Sequence, residues 1–442
     1  MNAPESAQFD FFQQWYPIAP IEDVPDRQPY RVTLVGRPIV VWKSPEQGFV
    51  AFLDICPHRL APLSEGRIDE KTGNLMCSYH GWQFDAKGKC QRIPQSDRNP
   101  PNEKNSQFCA TVLPVQEGQG LLWIWPDEPS SHLASDRPLP LSPQCDREGG
   151  FVWKSMVRDL EYDWSTLVEN LVDPSHVPFA HHGIQGNRDR ATPLAIEILI
   201  STPDLIEAKS EGRLPSQITF EPPCRLEYAL KLGENRQLGL VTYCIPRQPG
   251  QSRIVAQFPR NFAKRLHRLT PRWFNHIRER NAVLDSDMVL LHYQERYLHS
   301  RHAGQTWSSA YVMPTRADRL VIEFRRWFDR YCEGKLPWTL EQIQAFDPRP
   351  RPREVLLDRY TQHTQLCQSC RGALKAIQYL EIILIIAAIG SILGLVALPN
   401  VAGLFWRLSL IFVCISSLGG WSWLHYRLKP RFYFKDYIHS EH

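Results

Sequence analysis

The sequence has no dominant charge. Its 51 lysines and arginines face 47 aspartates and glutamates, a net +4 over 442 residues, and that balance excludes the basic footprint of a nucleic-acid binder. Cysteine is sparse for a disulfide scaffold, because 11 in this length is far below the density of small secreted frameworks and the number is odd. Metal or redox use is the better expectation. The opening MNAPESAQFDFF has neither a basic stretch nor an apolar core, so no cleaved secretory leader is expected and the chain reads as kept on the reducing side of a membrane. No internal repeat and no low-complexity tract occurs. A flavin or nicotinamide fingerprint is missing too, so redox chemistry here needs an external electron donor.

What is present is apolar sequence enough for several cores. Hydrophobic residues make up 43% and charged residues 22%, a globular balance, and single cores rarely exceed about 250 residues, so two or three folding units are expected. Residues 30–43, YRVTLVGRPIVVWK, are two β-rich runs broken at Gly36-Arg37 as a hairpin, and short strands continue to Trp125. Pro126, Pro129, Pro138, Pro140 and Pro143 then mark an exposed connection. From 151 to 346 we read a helix at 162–172, strands at 194–200, 225–232, 238–245 and 254–258, a long helix from 271 to about 294, and strands at 308–313 and 319–328. That is an α+β domain with an antiparallel sheet. The division expected is 1–130, 131–365 and 366–442.

The C-terminal part changes character. Residues 382–398 and 408–424 are 17 apiece without a charge, about 25 Å each as helices, the lower edge of what spans a bilayer. Trp406, Trp421, Trp423 and Tyr426 stand where interfacial aromatics belong. A pair of buried core helices is the alternative, disfavoured because the two runs are adjacent and uniformly apolar. Arg371 and Lys375 precede the hairpin and Arg427, Lys429, Arg431 and Lys435 follow it, while the loop holds only Arg407. The positive-inside rule then puts both ends, and the globular part, on the cytoplasmic or equivalent side.

Two constellations carry metal chemistry. Cys56-Pro57-His58 is followed after eighteen residues by Cys77-Ser78-Tyr79-His80. Two thiolates and two imidazoles suit a structural zinc or a [2Fe–2S] cluster of Rieske type, in which both Cys hold one iron and both His the other. Zinc-finger pairs contribute like ligands, whereas each loop here offers one Cys and one His, which favours the Rieske cluster. The second constellation is His176 and His181, five apart among Pro174 and Pro178. With one carboxylate they make the facial triad of non-haem Fe(II), leaving positions open for dioxygen. Asp287 is the choice and Asp285 the competitor. His182 is expected to serve beside the site or face solvent. Cys367 and Cys370 are either a thioredoxin-responsive pair or two ordinary thiols.

At these residues the chain resembles the Rieske non-haem iron oxygenases. More narrowly, CPHRLAPLSEG at 56–66, CSYHGW at 77–82 and DPSHVPFAH at 173–181 are similar to the branch of chlorophyll metabolism that contains pheophorbide a oxygenase and chlorophyllide a oxygenase. The resemblance runs from Trp15-Tyr16-Pro17 to the C-terminal hairpin and takes in the CxxC of 363–370, HTQLCQSC. It implies a Rieske β-domain, a helix-grip catalytic domain and a transmembrane helical hairpin, assembled as a ring, commonly a homotrimer. Electrons from ferredoxin, O₂ and a lipophilic tetrapyrrole, pheophorbide a or a chlorophyllide, complete the expected partners, in an oxygenic phototroph. Residues 184–260 are expected to wall the substrate pocket. Asp173 matches the Asp that bridges a Rieske His to an iron-ligand His. Many members have Asn four residues before it, where this chain has Glu169 with Asn170 adjacent, so neither takes that role by sequence. Two other readings stay open: a Rieske oxygenase of small aromatics or another lipophilic substrate, and a membrane-tethered electron carrier or redox sensor.

Overall fold

The computed structural model describes residues 8–97, 106–211, 215–301, 306–399 and 403–441. The opening MNAPESA and positions 400–402 of the hairpin loop, both read above, lie outside the described residues. Contacts divide the chain into two compact units, Met1–Leu269 with Asp287–Pro350, and Thr270–Ser286 with Arg351–His442.

The first unit begins with three small antiparallel sheets. Tyr16–Pro20, Leu121–Ile124 and Val115–Gly118 form one, and Tyr30–Leu34, Arg37–Ser44, Gly48–Leu53 and Val112–Leu113 the second. The expected hairpin turns at Val35-Gly36, both with positive φ (47° and 74°), the requirement of a two-residue turn matched to strand twist. Val35 is a β-branched residue in that region, and it is held there because Val35 N and Gly36 N donate to Pro246 O (2.8 Å) and Arg247 O (2.7 Å). The third sheet, Arg67–Ile68, Leu75–Met76, Gln83–Phe84 and Cys90–Arg92, carries the two Cys-His loops.

The larger sheet has seven antiparallel strands in the order Ser155–Leu160, Gln251–Gln257, Gln237–Gln248, Arg225–Lys231, Ser216–Glu221, Ile206–Glu211 and Ala195–Ser201. Arg253 joins it to the N-terminal sheets, donating to Asp159 Oδ1 (2.6 Å), Ile18 O (2.9 Å) and Tyr30 Oη (3.0 Å). Burial works to raise the Asp159 carboxyl, yet Arg253 and Arg247 hold it below the ordinary value, so the pair stays charged in the interior.

One expectation fails here. The strands expected at 308–313 and 319–328 are helices, Trp307–Ala310 and Arg319–Cys332. The β-branched and aromatic content of 319–328 invites a strand reading, but the buried set Leu320, Val321, Phe324, Trp327 and Phe328 has helical spacing. Thr315 and Asp318 close a capping box in front of it. Its apolar face lies on the sheet, with Phe220 5.7 Å from Phe324 and 5.9 Å from Trp327 between ring centres. The long helix expected from 271 to about 294 is present and runs on to 301, with a π turn His276–Arg280 set between Arg272–Asn275 and Asn281–Arg301.

The second unit is built on helices Gln368–Ala397 and Leu404–Trp423, which pack on each other. Gly394 lies against Leu410 and Gly420 against Leu384, small residues letting the backbones approach. The first helix starts before the apolar run because Cys370, Leu374 and Ile377 pack into a core with Leu424 and Phe432. Both helices are long and apolar enough to cross a membrane, and their outer faces are bare. Glu381, buried at the head of the apolar run, is met by Lys429 (2.8 Å) and His425 (3.1 Å).

Candidate metal centres

The two Cys-His loops are built alike. Leu60 N donates to Cys56 O (2.9 Å) and Gly81 N to Cys77 O (3.0 Å), and the fourth residue after each Cys is left-handed, φ 59° at Leu60 and 73° at Gly81. A Cβ on Gly81 would stand 2.9 Å from Pro94 Cγ, so that loop needs its glycine twice over. Leu60 adopts the same conformation without one, a strain typical of functional loops.

This construction sorts the four side chains into like pairs. Cys56 and Cys77 are buried in one apolar cluster with Trp82, Leu63 and Phe84, and Cys77 is close enough to raise the Cys56 thiol. His58 and His80 are half-buried, their rings 4.4 Å apart. Trp82 stacks on His58 at 4.6 Å and 8°, which fixes the imidazole plane. Burial pushes the Cys56 thiol up to about 12, with Cys77 adding to it. Loading therefore displaces protons. Burial, with His80 and Arg59 nearby, lowers His58, keeping the imidazole neutral as a ligand must be. Two inner thiols and two outer imidazoles fit a cluster whose irons are bound by unlike pairs.

The second group comes from two helical elements. Asp163 caps helix Trp164–Leu171 by accepting from Ser165 N (3.0 Å). The chain then turns into the four-residue helix Val177–Ala180, with Pro178 in its first turn, His176 before it and His181 after it. A pair five apart converges because both residues sit at the caps. Gly186 permits this, since a Cβ there would meet Val177 O at 2.0 Å, and its N donates to His181 O (2.9 Å). Asp287 arrives on Asn281–Arg301. His176 Nε2 lies 3.3 Å from His181 Nε2 and 3.9 Å from Asp287 Oδ1, and His181 Nε2 lies 3.5 Å from Asp287 Oδ2.

Two imidazole nitrogens and a carboxylate aimed at one point suit a divalent ion. Burial pushes the Asp287 carboxyl up to about 6, with His176 and Asn170 pulling it back, so the site is short of positive charge. Asp173 stands 3.7 Å from His176 Nδ1, longer than a hydrogen bond, and its Oδ1 accepts from Ser175 N (2.8 Å) and Oγ (2.5 Å).

The open choices in the sequence divide cleanly. Asp285 is held by Arg359 (2.7 Å to Nε) and is not part of the triad group. His182 Nδ1 accepts from Arg188 N (3.1 Å) and stands outside it too. Glu169 is buried and bonded to Arg325 and to Gln294 Nε2 (2.8 Å), whereas Asn170 is the neighbour that lowers the Asp287 carboxyl. A cavity of about 450 Å³ is lined by Gln217, Glu221, Arg225 and Glu227 of the expected wall segment and by Pro143 and Gln144 outside it, among others. None of its lining residues belongs to the triad.

Comparison with known proteins follows the same division. Residues 14–113 match the Rieske [2Fe-2S] domain and residues 220–307 the pheophorbide a oxygenase family model. The chain is 37% identical to a chloroplastic pheophorbide a oxygenase of Oryza sativa subsp. japonica, over 80% of this chain and 72% of the relative. It is 35% identical to the chloroplastic flavonoid 8-hydroxylase 2 of Ocimum basilicum, again over 80% and 72%. The structure is similar to dicamba monooxygenase bound to dicamba, with a TM-score of 0.60 and 21% identity over 74% of this chain and 99% of that one.

Proposed function

Because the chain belongs to the Rieske non-haem iron oxygenases, in the branch of pheophorbide a oxygenase, we propose that it oxygenates a chlorophyll-derived macrocycle such as pheophorbide a or a chlorophyllide. O₂ is the oxidant, a ferredoxin the donor, and the two apolar helices anchor a homotrimeric ring to a membrane, with the globular part on the cytoplasmic or stromal side in an oxygenic phototroph. Cys56 and Cys77 hold one iron of the [2Fe–2S] cluster and His58 and His80 the other, while His176, His181 and Asp287 hold the mononuclear iron. The observation that carries the reading is the convergence of those three donors within 4.8 Å.

When bound, the mononuclear iron offers open positions to dioxygen and the Rieske cluster supplies electrons singly. The chain's own residues orient and insulate. Asn170 holds down the pKa of the Asp287 carboxyl, and both His Nε2 atoms face the same point as that carboxylate. Asp173 steers His176 from its Nδ1 side and carries the connection to the neighbouring subunit's Rieske histidine. The anchor suits a substrate that partitions into the bilayer surface.

A second reading rests on one observation: the flavonoid hydroxylase is nearly as similar as the pheophorbide a oxygenase, 35% against 37%. Membership alone therefore favours a lipophilic aromatic as much as a chlorin. Incubation of the full chain in detergent with reduced ferredoxin, ¹⁸O₂, and pheophorbide a, chlorophyllide a or a flavone panel decides between them. Label in a chlorin supports the first proposal. Label in flavones or small aromatic acids alone overturns the substrate and leaves the oxygenase standing.

A further inference from the structure

In the C-terminal unit lies another group of ligand-type side chains, which the oxygenase chemistry does not use. His276, His363, Cys367 and Cys370 are all buried and bring their ligand atoms within 4.8 Å of one another. They come from three separate turns. His276 opens the π turn His276–Arg280, His363 belongs to a second π turn, Tyr360–Thr364, and Cys367 caps helix Gln368–Ala397, whose first turn holds Cys370. Single π turns inside helices concentrate at functional sites, because the extra residue re-aims side chains. One such turn inside the helical run 272–301 and a π turn standing apart from any longer helix, each presenting a histidine to one CxxC, form a built arrangement.

The distances discriminate between possible occupants. His363 Nε2 is 3.2 Å from His276 Nδ1, and Cys370 Sγ is 3.5 Å from His276 Nδ1 and 3.3 Å from His363 Nε2. Cys367 Sγ is 3.7 Å from His276 Nδ1. A tetrahedral zinc with bonds of about 2.3 Å to sulfur and about 2.0–2.1 Å to nitrogen has N···N edges of about 3.4 Å and S···N edges of about 3.6 Å. The four measured edges, 3.2–3.7 Å, lie within about 0.3 Å of those values. A [2Fe–2S] cluster needs its thiolates on one iron and its imidazoles on the other, keeping unlike ligands apart, as in the Cys56/Cys77 and His58/His80 pairs. Here unlike ligands touch, so the site fits one ion.

We propose that His276 through Nδ1, His363 through Nε2, and the thiolates of Cys367 and Cys370 bind a structural zinc ion. Two thiolates cancel the charge of Zn²⁺, so a site walled by Ile277, Leu374, Ile377, Leu424 and Phe432 buries no net charge. Four protein ligands leave no open position, which makes the ion a staple. It ties the two π turns to the base of the apolar hairpin. Neither cysteine forms a disulfide, and thiolates held by zinc are withdrawn from thiol exchange.

The test uses tag-free full-length protein in detergent, made with zinc and iron supplied, with metals counted by mass spectrometry and the zinc shell read by X-ray absorption. Expected are about one zinc per chain beside about three irons, with two sulfurs at about 2.3 Å and two nitrogens at about 2.0–2.1 Å. Cys370→Ser and His363→Ala each lower zinc below about a tenth of an equivalent while the visible Rieske spectrum persists, and Cys109→Ser keeps the zinc. The wild-type absorption result stands even if a variant fails to fold. Wild-type protein without zinc, a Cys367–Cys370 disulfide found before any reduction, or iron in this ligand shell would overturn the proposal.

Discussion

The triad of the first unit and the tetrad of the second are both buried collections of metal-ligand side chains, and they differ in what they leave open. The triad offers three donors and His176 keeps 20% of its side chain exposed, so a coordination position and a way in remain. The tetrad offers four donors, none more than 2% exposed. Donor hardness runs the same way: imidazole with carboxylate suits Fe(II), and imidazole with thiolate suits zinc. On the proposed assignments one chain places an open site where chemistry is needed and a closed one where three turns are held together, which is the contrast that mutation can break.

The largest effect belongs to the open site. His176→Ala, His181→Ala and Asp287→Ala should each lower turnover by more than about a thousandfold, roughly 4 kcal/mol of barrier, while the Rieske absorption stays. Asp285→Asn should keep the mononuclear iron and lose stability, because it unpairs the buried Arg359 at a cost of about 3–5 kcal/mol. Iron analysis and melting curves separate the two. Loss of iron in Asp285→Asn with none in Asp287→Ala would invert the choice of carboxylate.

Next in size comes Asp173→Asn. It removes charge beside His176 Nδ1 without removing a ligand, so both metals stay and turnover falls by about 10- to 100-fold. Stopped-flow oxidation of the reduced Rieske centre in a single turnover is the measurement, and a wild-type rate there would refute the bridging role.

A smaller effect tests the exchange of roles between neighbours. Asn170→Ala should weaken iron binding by about tenfold, since Asn170 orients Asp287. Glu169→Gln should leave iron affinity alone and lower the melting temperature, because Glu169 partners Arg325 and Gln294. The opposite pattern in metal titrations would return the role to Glu169.

Legibility in the sequence followed how local each signal was. The proposed Rieske ligands are legible because each loop carries its own Cys and His within four residues, and the hairpins around them have turn and strand periodicity. His176 and His181 were readable as a pair, but the carboxylate was not fixed, since Asp285 and Asp287 differ only in which way the helix turns them. Asn170 could be suspected and not assigned, because helix phase decides that it faces Asp287 and Glu169 faces Arg325. The helix Arg319–Cys332 was misread because its aromatic content masked a 3.6-residue period and a capping box. In the tail, Cys367 and Cys370 announced themselves. Their histidine partners did not, as His276 is some ninety residues away and π turns leave no residue signature.

The smallest expected effect on the oxygenase centres is that of the tail site, and it sharpens the contrast most. If the tetrad is a staple, Cys367→Ser or His276→Ala should leave about three irons per chain and the Rieske spectrum in place, because none of the proposed iron ligands is among its residues. The damage should appear in the second unit itself. Without the ion, four polar groups remain in an apolar core, a cost that falls on the segments they join. Limited proteolysis reads this directly, with new cleavage expected between 351 and 370 in the variant and in chelator-treated wild type. The same cleavage pattern should vanish on adding zinc back to the wild type and persist in Cys367→Ser. Iron loss without any change in proteolysis would mean that the tetrad serves the oxygenase chemistry after all, and the distinction between an open and a closed site would fail.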